Sequence, residues 1–298
     1  MARSPLVSSI VALIALSSAA QAKWTEARQA KLYAVESRGE ARRNQFSAPF
    51  RRNFRSVGRF DTVGDASLSW SGTIVVVNKP SLLAYLCGRR TVYALTNQHV
   101  SSKQGKGGAS VHYGANILSL SKVMAENAAL DYALLQLKLP GLGAGGLRAW
   151  QKLRSVGLQQ SASVGDRIYS SGFPSRLGLN DALLVGRLRQ RRDTLSKVAV
   201  LGKIEAIGAD IGTGLPTLIT NCPSNVGASG SPLFSANTHR MIGLVFAVNA
   251  MQTAASGRDI LARPVKDLLT DLAVAATRTR GRTGRQLRRL LGRIDLEH

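Results

Sequence analysis

A serine flanked by glycines lies in residues 227–232, which read Gly-Ala-Ser-Gly-Ser-Pro. A serine hydroxyl becomes a strong nucleophile only when a base removes its proton and nearby N–H groups stabilise the resulting oxyanion. The glycines around Ser229 allow the sharp backbone turn that such N–H groups need. Because Gly, Ser and Pro also dominate ordinary turns, the segment alone leaves a simple hairpin turn open. The catalytic interpretation therefore requires a histidine and an acid elsewhere in the chain.

His99 is the strongest candidate for the base among the four histidines. It comes shortly after the apolar run at residues 91–95, so its imidazole is expected at the end of a strand. Asp131 is the candidate acid, because an aspartate in apolar surroundings is costly unless it is hydrogen bonded, for example to an imidazole N–H. Glu126 is the rival acid in a more polar context, and a turn or capping role is the alternative for Asp131. In the catalytic interpretation, His99 accepts the Ser229 proton while Asp131 orients the imidazole.

Short apolar or β-branched runs, separated by Gly, Asn, Lys or Pro, make up the chain from about residue 67 onward. The predicted strands lie at residues 73–77, 82–86, 91–96, 109–113 and 132–137, and, after a glycine-rich connection between 140 and 147, at 167–171, 182–188, 198–207, 217–221, 233–234, 242–248 and 260–262. Residues 264–276 have helical spacing, with Pro264 near the first helical position. This pattern is typical of a β-barrel or sandwich and not of alternating strands and helices.

Three segments resemble the chymotrypsin-like serine peptidases, in particular their exported bacterial branch with its glutamyl-endopeptidase-like and HtrA-like catalytic domains. Residues 95–100 (Leu-Thr-Asn-Gln-His-Val) are similar to the histidine motif of that family, 130–137 (Leu-Asp-Tyr-Ala-Leu-Leu-Gln-Leu) to its aspartate motif, and 227–232 to its serine motif. The order His, Asp, Ser along the chain is also the order of that family. The resemblance covers about residues 67–276.

The resemblance implies an all-β fold of two six-stranded antiparallel β-barrels with a C-terminal helix. Barrel one would span about residues 67–140, barrel two about 147–263, and the helix 264–276. In this family Ser229 would be the nucleophile, His99 the general base and then acid, and Asp131 the residue that orients His99. The backbone N–H groups of Gly227 and Ser229 would form the oxyanion hole. Protein or peptide would be the substrate, and no metal or cofactor is implied.

The same resemblance places five residues at the substrate pocket. Pro223 stands where trypsins carry the aspartate that reads Lys or Arg, and Val245 stands where glutamyl endopeptidases carry a histidine. Phe246 and Val248 would form a wall, and the β-branched Val248 favours a shallow site for small or medium apolar residues. Asp259 on the adjacent strand is the alternative, since it would restore a preference for basic residues.

The first 22 residues are typical of a secretory signal peptide. Arg3 supplies the positive start, residues 6–16 are apolar, and Ala-Gln-Ala at 20–22 is a small-residue cleavage site. We therefore expect an exported protein, periplasmic or secreted, with cleavage after Ala22. The competing function from a different class is an exported binding protein that uses the peptidase fold as a scaffold.

The formal net charge is +23, and about half of the excess lies in the two ends. Residues 23–66 are predicted to be a basic segment outside the barrels, with a removed pro-region and a surface arm as the alternatives, and residues 277–298 a basic amphipathic tail. Such charge predicts attraction to anionic lipid or envelope polymers, whereas no recognised motif supports nucleic-acid binding. The tail carries an apolar stripe of Leu287, Leu290, Leu291 and Ile294. The helix could lie on an anionic surface or dock on its own domain.

The sequence contains two cysteines, Cys87 and Cys222. Cys87 precedes the strand that leads to His99, so it is expected at the far end of that strand. Cys222 leads into the cleft from the other barrel. Since a disulfide requires Cα atoms within about 7 Å, the two thiols are predicted to be free.

Overall fold

The structure is a computed structural model that describes residues 33–34, 48–62, 70–102, 109–113, 116–173, 198–210, 212–224, 227–248 and 258–297. Its strands are β1 Tyr33–Ala34, β2 Val57–Thr62, β3 Trp70–Asn78, β4 Thr91–Thr96, β5 Ala109–Tyr113, β6 Asn116–Asn127, β7 Tyr132–Lys138, β8 Leu158–Gln159, β9 Arg167–Gly172, β10 Val198–Ala209, β11 Pro216–Ser224, β12 Pro232–Ser235, β13 Met241–Val248, β14 Arg258–Pro264 and β15 Leu296–Glu297. Its helices are α1 Ala48–Phe54, α2 Leu82–Leu86, α3 Gln98–Ser101, α4 Ala144–Lys152, α5 Val265–Arg278 and α6 Gly281–Leu291.

The first barrel is a closed ring of six strands in the order β2-β3-β4-β7-β6-β5. Every neighbouring pair in this ring is antiparallel. Side chains alternate along a strand, so on β4 Val92 and Ala94 are buried while Tyr93 is half-buried. Val92 and Ala94 pack with Leu135 and Leu137 of β7 in one apolar cluster. The short apolar and β-branched runs from which the strands were predicted supply these buried side chains.

The second barrel is also a ring of six strands. Its strands follow the order β12-β9-β10-β11-β14-β13, and pairing between β12 and β13 closes the ring. All six pairings are antiparallel. Outside the ring, the short β8 pairs in parallel with β13, and β15 pairs in parallel with β8. Strand β1 pairs antiparallel with β10. The predicted architecture of two six-stranded antiparallel barrels is confirmed.

Barrel one begins earlier than the sequence predicted. Strand β2 is one of the six strands of the barrel, and the side chains of Val57 and Phe60 on it are fully buried. Between them Arg59 pairs with Asp61 at 2.7 Å on the outer face, and Phe50 of α1 belongs to the main apolar cluster. The boundary at residue 67 is therefore wrong, because the many arginines concealed a short strand with buried Val57 and Phe60.

Residues 82–86 form helix α2 and not the predicted strand. Ser81 caps its start, since the Ser81 hydroxyl accepts a hydrogen bond from the Ala84 N–H at 3.2 Å. On α2 the side chain of Tyr85 is buried, and its ring stacks on Trp150 with centroids 6.2 Å apart. The run is apolar but too short to show a period, so its apolar character alone could not separate helix from strand.

The predicted C-terminal helix is confirmed as α5, and a second helix, α6, follows it. The apolar stripe of α6 faces the protein: Leu287, Leu290 and Ile294 are buried in a cluster with Leu268 and Leu272 of α5. Of the two interpretations of the tail, docking on its own domain is the one that the structure shows. The tail is therefore part of the folded unit.

The tail contacts both barrels. Lys122 of β6 in barrel one donates from Nζ to the Thr283 hydroxyl at 3.0 Å. On the other side, Arg240 pairs with Asp295 at 2.9 Å, and the Leu158 N–H donates to the Asp295 carbonyl at 2.8 Å. Strand β15 then pairs with β8 at the edge of the second sheet. These contacts fix α6 across the two halves of the molecule.

Neither cysteine forms a disulfide, as predicted: Cys87 is exposed and Cys222 is buried. In the described part of the chain, no helix has the length and apolar character needed to cross a bilayer. The predicted signal peptide (1–22), much of the basic segment 23–66 and the predicted strand 182–188 lie outside the described residues.

Candidate active site

His99 and Asp131 meet at one end of barrel one. Strands β4 and β7 are paired, with Thr96 opposite Ala133, so the residue after β4 and the residue before β7 lie side by side. His99 Nδ1 lies 2.7 Å from Asp131 Oδ2, and the His99 backbone N–H donates to Asp131 Oδ1 at 3.0 Å. Both carboxylate oxygens are thus used to hold one histidine. This is the geometry that fixes an imidazole's tautomer and direction.

The backbone around Asp131 is held by several neighbours. Asp131 has a φ of 50°, in the left-handed region that Asp tolerates better than most residues. The buried Asn97 side chain donates to the Asp131 carbonyl at 2.7 Å. Asn127 accepts from the N–H of Ala129 at 2.9 Å and of Leu130 at 3.1 Å, which closes the turn before Asp131. The rival acid Glu126 is exposed on β6, so the structure brings Asp131 and not Glu126 to His99.

The residue after Asp131 links this loop to the C-terminal helix. Tyr132 is fully buried, and its hydroxyl donates to Asp271 Oδ2 of α5 at 2.5 Å. Burial raises the pKa of Tyr132, and the neighbouring Asp271 carboxylate raises it further. The phenol therefore stays a hydrogen-bond donor across the physiological pH range. Sequence reasoning did not identify Tyr132 or Asp271 as a pair.

Ser229 lies in the turn between β11 and β12 of barrel two. Gly227 and Gly230 have φ angles of 96° and 86°, which side-chain-bearing residues rarely adopt. The Gly230 N–H donates to the Val245 carbonyl at 2.8 Å, and the Ser231 N–H donates to the Ala228 carbonyl at 2.9 Å. The turn predicted from the glycines is therefore present, and Ser229 is half-buried within it.

The turn of Ser229 is attached to barrel one through Thr73 of β3. The Thr73 N–H donates to the Ser229 carbonyl at 2.8 Å, and the Thr73 hydroxyl donates to the Gly227 carbonyl at 3.3 Å. That hydroxyl also accepts from the Phe173 N–H at 3.0 Å. In addition, the Thr96 hydroxyl donates to the Thr73 carbonyl at 2.7 Å. One buried threonine thus connects the serine turn with the strand that leads to His99.

Close approach of the two barrels brings the three predicted residues into one region. A Cβ atom added to Gly230 would lie 2.6 Å from the Thr96 hydroxyl, three residues before His99. A Cβ added to Gly72 would lie 2.6 Å from Val100 and 3.3 Å from the Ser229 carbonyl. Among the described residues no hydrogen bond joins Ser229 to the His99 ring. In unliganded sites this bond is often long and tightens only when substrate binds.

The five predicted pocket residues have different environments. Val245 is buried in the apolar cluster of barrel two. Phe246 is half-buried, with the Arg263 guanidinium 4.0 Å above its ring, and Val248 is half-buried on the same strand. Asp259 is buried, and its backbone pairs in register with Pro223. The side chain of Pro223 lies outside the described residues. Within the described ranges, no three His, Cys, Asp or Glu side chains are grouped as metal ligands are.

Thr73 yields a prediction about the serine turn. The substitution Thr73→Val keeps the shape of the side chain but removes the hydroxyl that contacts Gly227 and Phe173. Because small displacements of reacting groups cost up to about a hundredfold in rate, we expect an organophosphonate probe to label Ser229 at least about tenfold more slowly. Thr73→Ser keeps the hydroxyl and should restore most of the rate. Equal labelling of wild type and Thr73→Val would show that the hydroxyl does not position the turn.

Comparison with solved structures supports the fold. The Rv3671c protease from M. tuberculosis in its active form has a TM-score of 0.53 and 16% identity, over 80% of this chain and 87% of that one. The HtrA-type protease AlgW with a tripeptide has a TM-score of 0.52 and 19% identity, over 77% of this chain and 62% of AlgW. Deg5 has a TM-score of 0.50 and 17% identity, over 79% of this chain and 95% of that one. No curated protein matches the sequence.

The family is shown by the sequence itself. Residues 72–244 match the family described as Trypsin-like peptidase domain. This range covers more than half of the chain and includes His99, Asp131 and Ser229. The chain therefore belongs to the trypsin-like peptidase domain family, and it is a serine endopeptidase.

Proposed function

We propose that this peptidase cleaves peptide bonds through a triad of Ser229, His99 and Asp131 and an acyl-enzyme intermediate. The observation that carries the proposal is the double contact of Asp131 with His99, at 2.7 Å to the ring and 3.0 Å to the backbone. This contact leaves Nε2 as the ring nitrogen for the reaction. Thr73 and its neighbours hold the serine turn at the same junction of the barrels.

The proposed reaction passes two protons through His99 Nε2, one from Ser229 during acylation and one from water during hydrolysis of the acyl-enzyme. His99 Nε2 takes the hydroxyl proton as Ser229 Oγ attacks the substrate carbonyl, and the N–H groups of Gly227 and Ser229 stabilise the oxyanion. The imidazolium, stabilised by Asp131, then protonates the leaving amine as the peptide bond breaks. A water molecule then gives a proton to the same imidazole as its oxygen attacks the acyl carbon. The imidazolium donates this second proton to Ser229 Oγ as the bond between Oγ and the acyl carbon breaks and the acid product leaves.

The triad is tested by single and double substitutions. Ser229→Ala should lower kcat by several orders of magnitude, and adding His99→Ala should lower it little further, because the groups act as a unit. Turnover of casein and covalent labelling by an organophosphonate measure the two effects. Casein digestion by Ser229→Ala at the wild-type rate would contradict the triad and favour the scaffold function.

We further propose that the pocket accepts small or medium apolar residues before the cleaved bond. Phe246 and Val248 support this proposal, since both are half-buried and the Arg263 guanidinium covers the Phe246 ring. The buried Asp259 beside Pro223 supports the competing basic preference. Among the five predicted pocket residues, only Asp259 carries a negative charge that could pair with a Lys or Arg side chain of the substrate.

A peptide library cleaved by wild type and by Asp259→Asn separates the two preferences. We expect small or medium apolar residues before the cut in both enzymes. Selection of Lys or Arg by wild type, lost in Asp259→Asn, would contradict the apolar pocket and assign specificity to Asp259. Selection of Glu would instead contradict the placement of Val245.

Export is proposed from residues 1–22, whose pattern is that of a signal peptide. Expression of the full chain in a bacterial host should release a mature protein that begins at Lys23, outside the cytoplasm. N-terminal sequencing of each fraction measures this. An uncleaved chain that begins at Met1 and stays with the cytoplasm would contradict export.

We also propose that the basic ends attract the enzyme to anionic lipid or envelope polymer. In the tail all seven arginines, from Arg278 to Arg293, have exposed side chains. Because the leucine stripe of α6 is buried, the tail adds charge without an apolar contact. Its attraction should therefore weaken as salt shortens the Debye length.

A further inference from the structure

An exposed apolar surface lies at the end of barrel one that is remote from His99. Four leucines are exposed there, with Leu82 at 44%, Leu83 at 73%, Leu86 at 50% and Leu142 at 52% of full exposure. Three of them come from α2, on which Tyr85 is buried. Exposed apolar side chains that cluster in this way usually mark a surface that meets another molecule or a membrane. We call these four residues the leucine surface.

Helix α2 and the segment that carries Leu142 form one continuous region. The Tyr85 hydroxyl donates to the Pro140 carbonyl at 3.3 Å and to the Gly141 carbonyl at 3.2 Å. The Leu139 N–H donates to the Arg90 carbonyl at 2.8 Å. Helix α2 and the segment of Leu142 thus lie side by side, although they are more than fifty residues apart in the chain.

The region around the leucine surface carries positive charge alone. Its two segments, 79–92 and 138–155, contain no Asp or Glu. They contain seven basic residues, which we call the basic rim: Lys79, Arg89, Arg90, Lys138, Arg148, Lys152 and Arg154. In the described part of the chain none of these seven forms an ion pair. Within the described ranges, no carboxylate therefore neutralises these charges.

Lys79 is a partly enclosed member of these seven basic residues, and it packs on Trp150. Its Nζ donates to the carbonyls of Trp150 and Leu153 at 3.1 and 3.0 Å and lies 4.0 Å from the centre of the Trp150 ring. Burial, together with the positive charges of Arg154 and Arg52, lowers the pKa of Lys79 to about 8. An anionic partner would therefore find a positive field at this end of the barrel.

We propose that the leucine surface and its basic rim bind the interface of an anionic lipid bilayer. Headgroup phosphates would pair with the rim arginines and lysines, while the leucines would enter the boundary between headgroups and acyl chains. If a second copy of this chain bound through the same surface, its seven basic residues would face the seven of the first copy, and the like charges would repel. A nucleic acid would match the charge but leave the leucines in water. A bilayer with anionic headgroups satisfies both the charge and the apolar side chains.

The orientation leaves the active site free. Strand β4 begins at Thr91 beside the basic rim and ends at Thr96 near His99, and β7 runs from Tyr132, next to Asp131, to Lys138 at the rim. At about 3.3 Å per residue, six residues separate the two ends by roughly 17–20 Å. The chain bound in this way would present its cleft to the solution. This inference does not depend on the proposed triad.

Vesicle binding by the full chain tests the proposal. The wild type is sedimented with vesicles of phosphatidylglycerol and phosphatidylcholine, and with phosphatidylcholine alone, at physiological salt and at about 1 M salt. The test variant is Leu83→Ser with Leu86→Ser. The matched control is Val123→Ser with Ile207→Ser, which removes two exposed apolar side chains at 38% and 45% exposure, one near the middle of β6 and the other on β10 of barrel two. Thermal unfolding of each variant verifies folding.

The expected result is preferential binding to the anionic vesicles, of which a part survives high salt. The leucine variant should bind about tenfold or more weakly and lose the salt-resistant part, because apolar contact is not screened. The control variant should bind within about twofold of wild type. A variant with glutamine at Arg285, Arg289 and Arg293 should lose only salt-sensitive binding. Wild-type affinity in the leucine variant would overturn the proposal.

The native thiol supplies an independent measurement. Cys87 follows Leu86 directly and is exposed, whereas Cys222 is buried, so an environment-sensitive maleimide dye should label Cys87 alone. Its emission should shift to the blue on anionic vesicles and be quenched by nitroxide lipids. Binding without such a shift would assign the contact to the tail and overturn the proposal. So would a dimer, seen in lipid-free solution by light scattering, that the leucine variant dissociates.

Discussion

The hydrogen bonds of Thr73 are the contacts on which the geometry of the site depends. Catalysis in this fold requires groups from two separately closed barrels to meet, and the Thr73 backbone and hydroxyl hold the serine turn against barrel one. The approach is possible only because glycine stands at two positions. A Cβ on Gly230 would lie 2.0 Å from the Thr73 carbonyl, and one on Gly72 would lie 2.6 Å from Val100. A side chain at Gly230 would push the serine turn away from Thr73, whereas a side chain at Gly72 would first displace Val100 within barrel one and meet the Ser229 carbonyl at 3.3 Å.

A second constraint acts on the histidine. A buried carboxylate is tolerated when its oxygens accept hydrogen bonds, and Asp131 receives one from the ring and one from the backbone of the same residue. Asn97, Asn127 and the pair of Tyr132 with Asp271 hold the backbone on either side. Helix α5 therefore helps to fix the loop that carries Asp131, through the hydrogen bond between Asp271 and Tyr132. The tail helix α6 packs on α5, so the C-terminus contributes to the same framework.

The sequence was sufficient for the features that depend on local pattern. Short apolar or β-branched runs between turn residues predicted most strands. The glycines and apolar neighbours of Ser229, His99 and Asp131 marked these three as candidate site residues, of which the structure joins His99 to Asp131. The sequence was insufficient where contacts between distant segments decide the role of a residue or the type of an element. Nothing local marks Thr73 as the bridge between barrels, and the arginines before and within β2 concealed a strand whose Val57 and Phe60 are buried. The leucines of α2 looked like a core strand, although their side chains face solvent.

The two leucine-rich helices show why an amphipathic pattern does not identify its own partner. Helix α6 has the stronger pattern, yet Leu287 and Leu290 are buried against α5, and an apolar face that packs in the core is not free for lipid. Helix α2 has no clear period, yet Leu83 and Leu86 remain outside because Tyr85 is the residue that packs inward. Apolar attraction to a surface must therefore come from α2. The arginines of α6 can add long-range attraction that depends on salt.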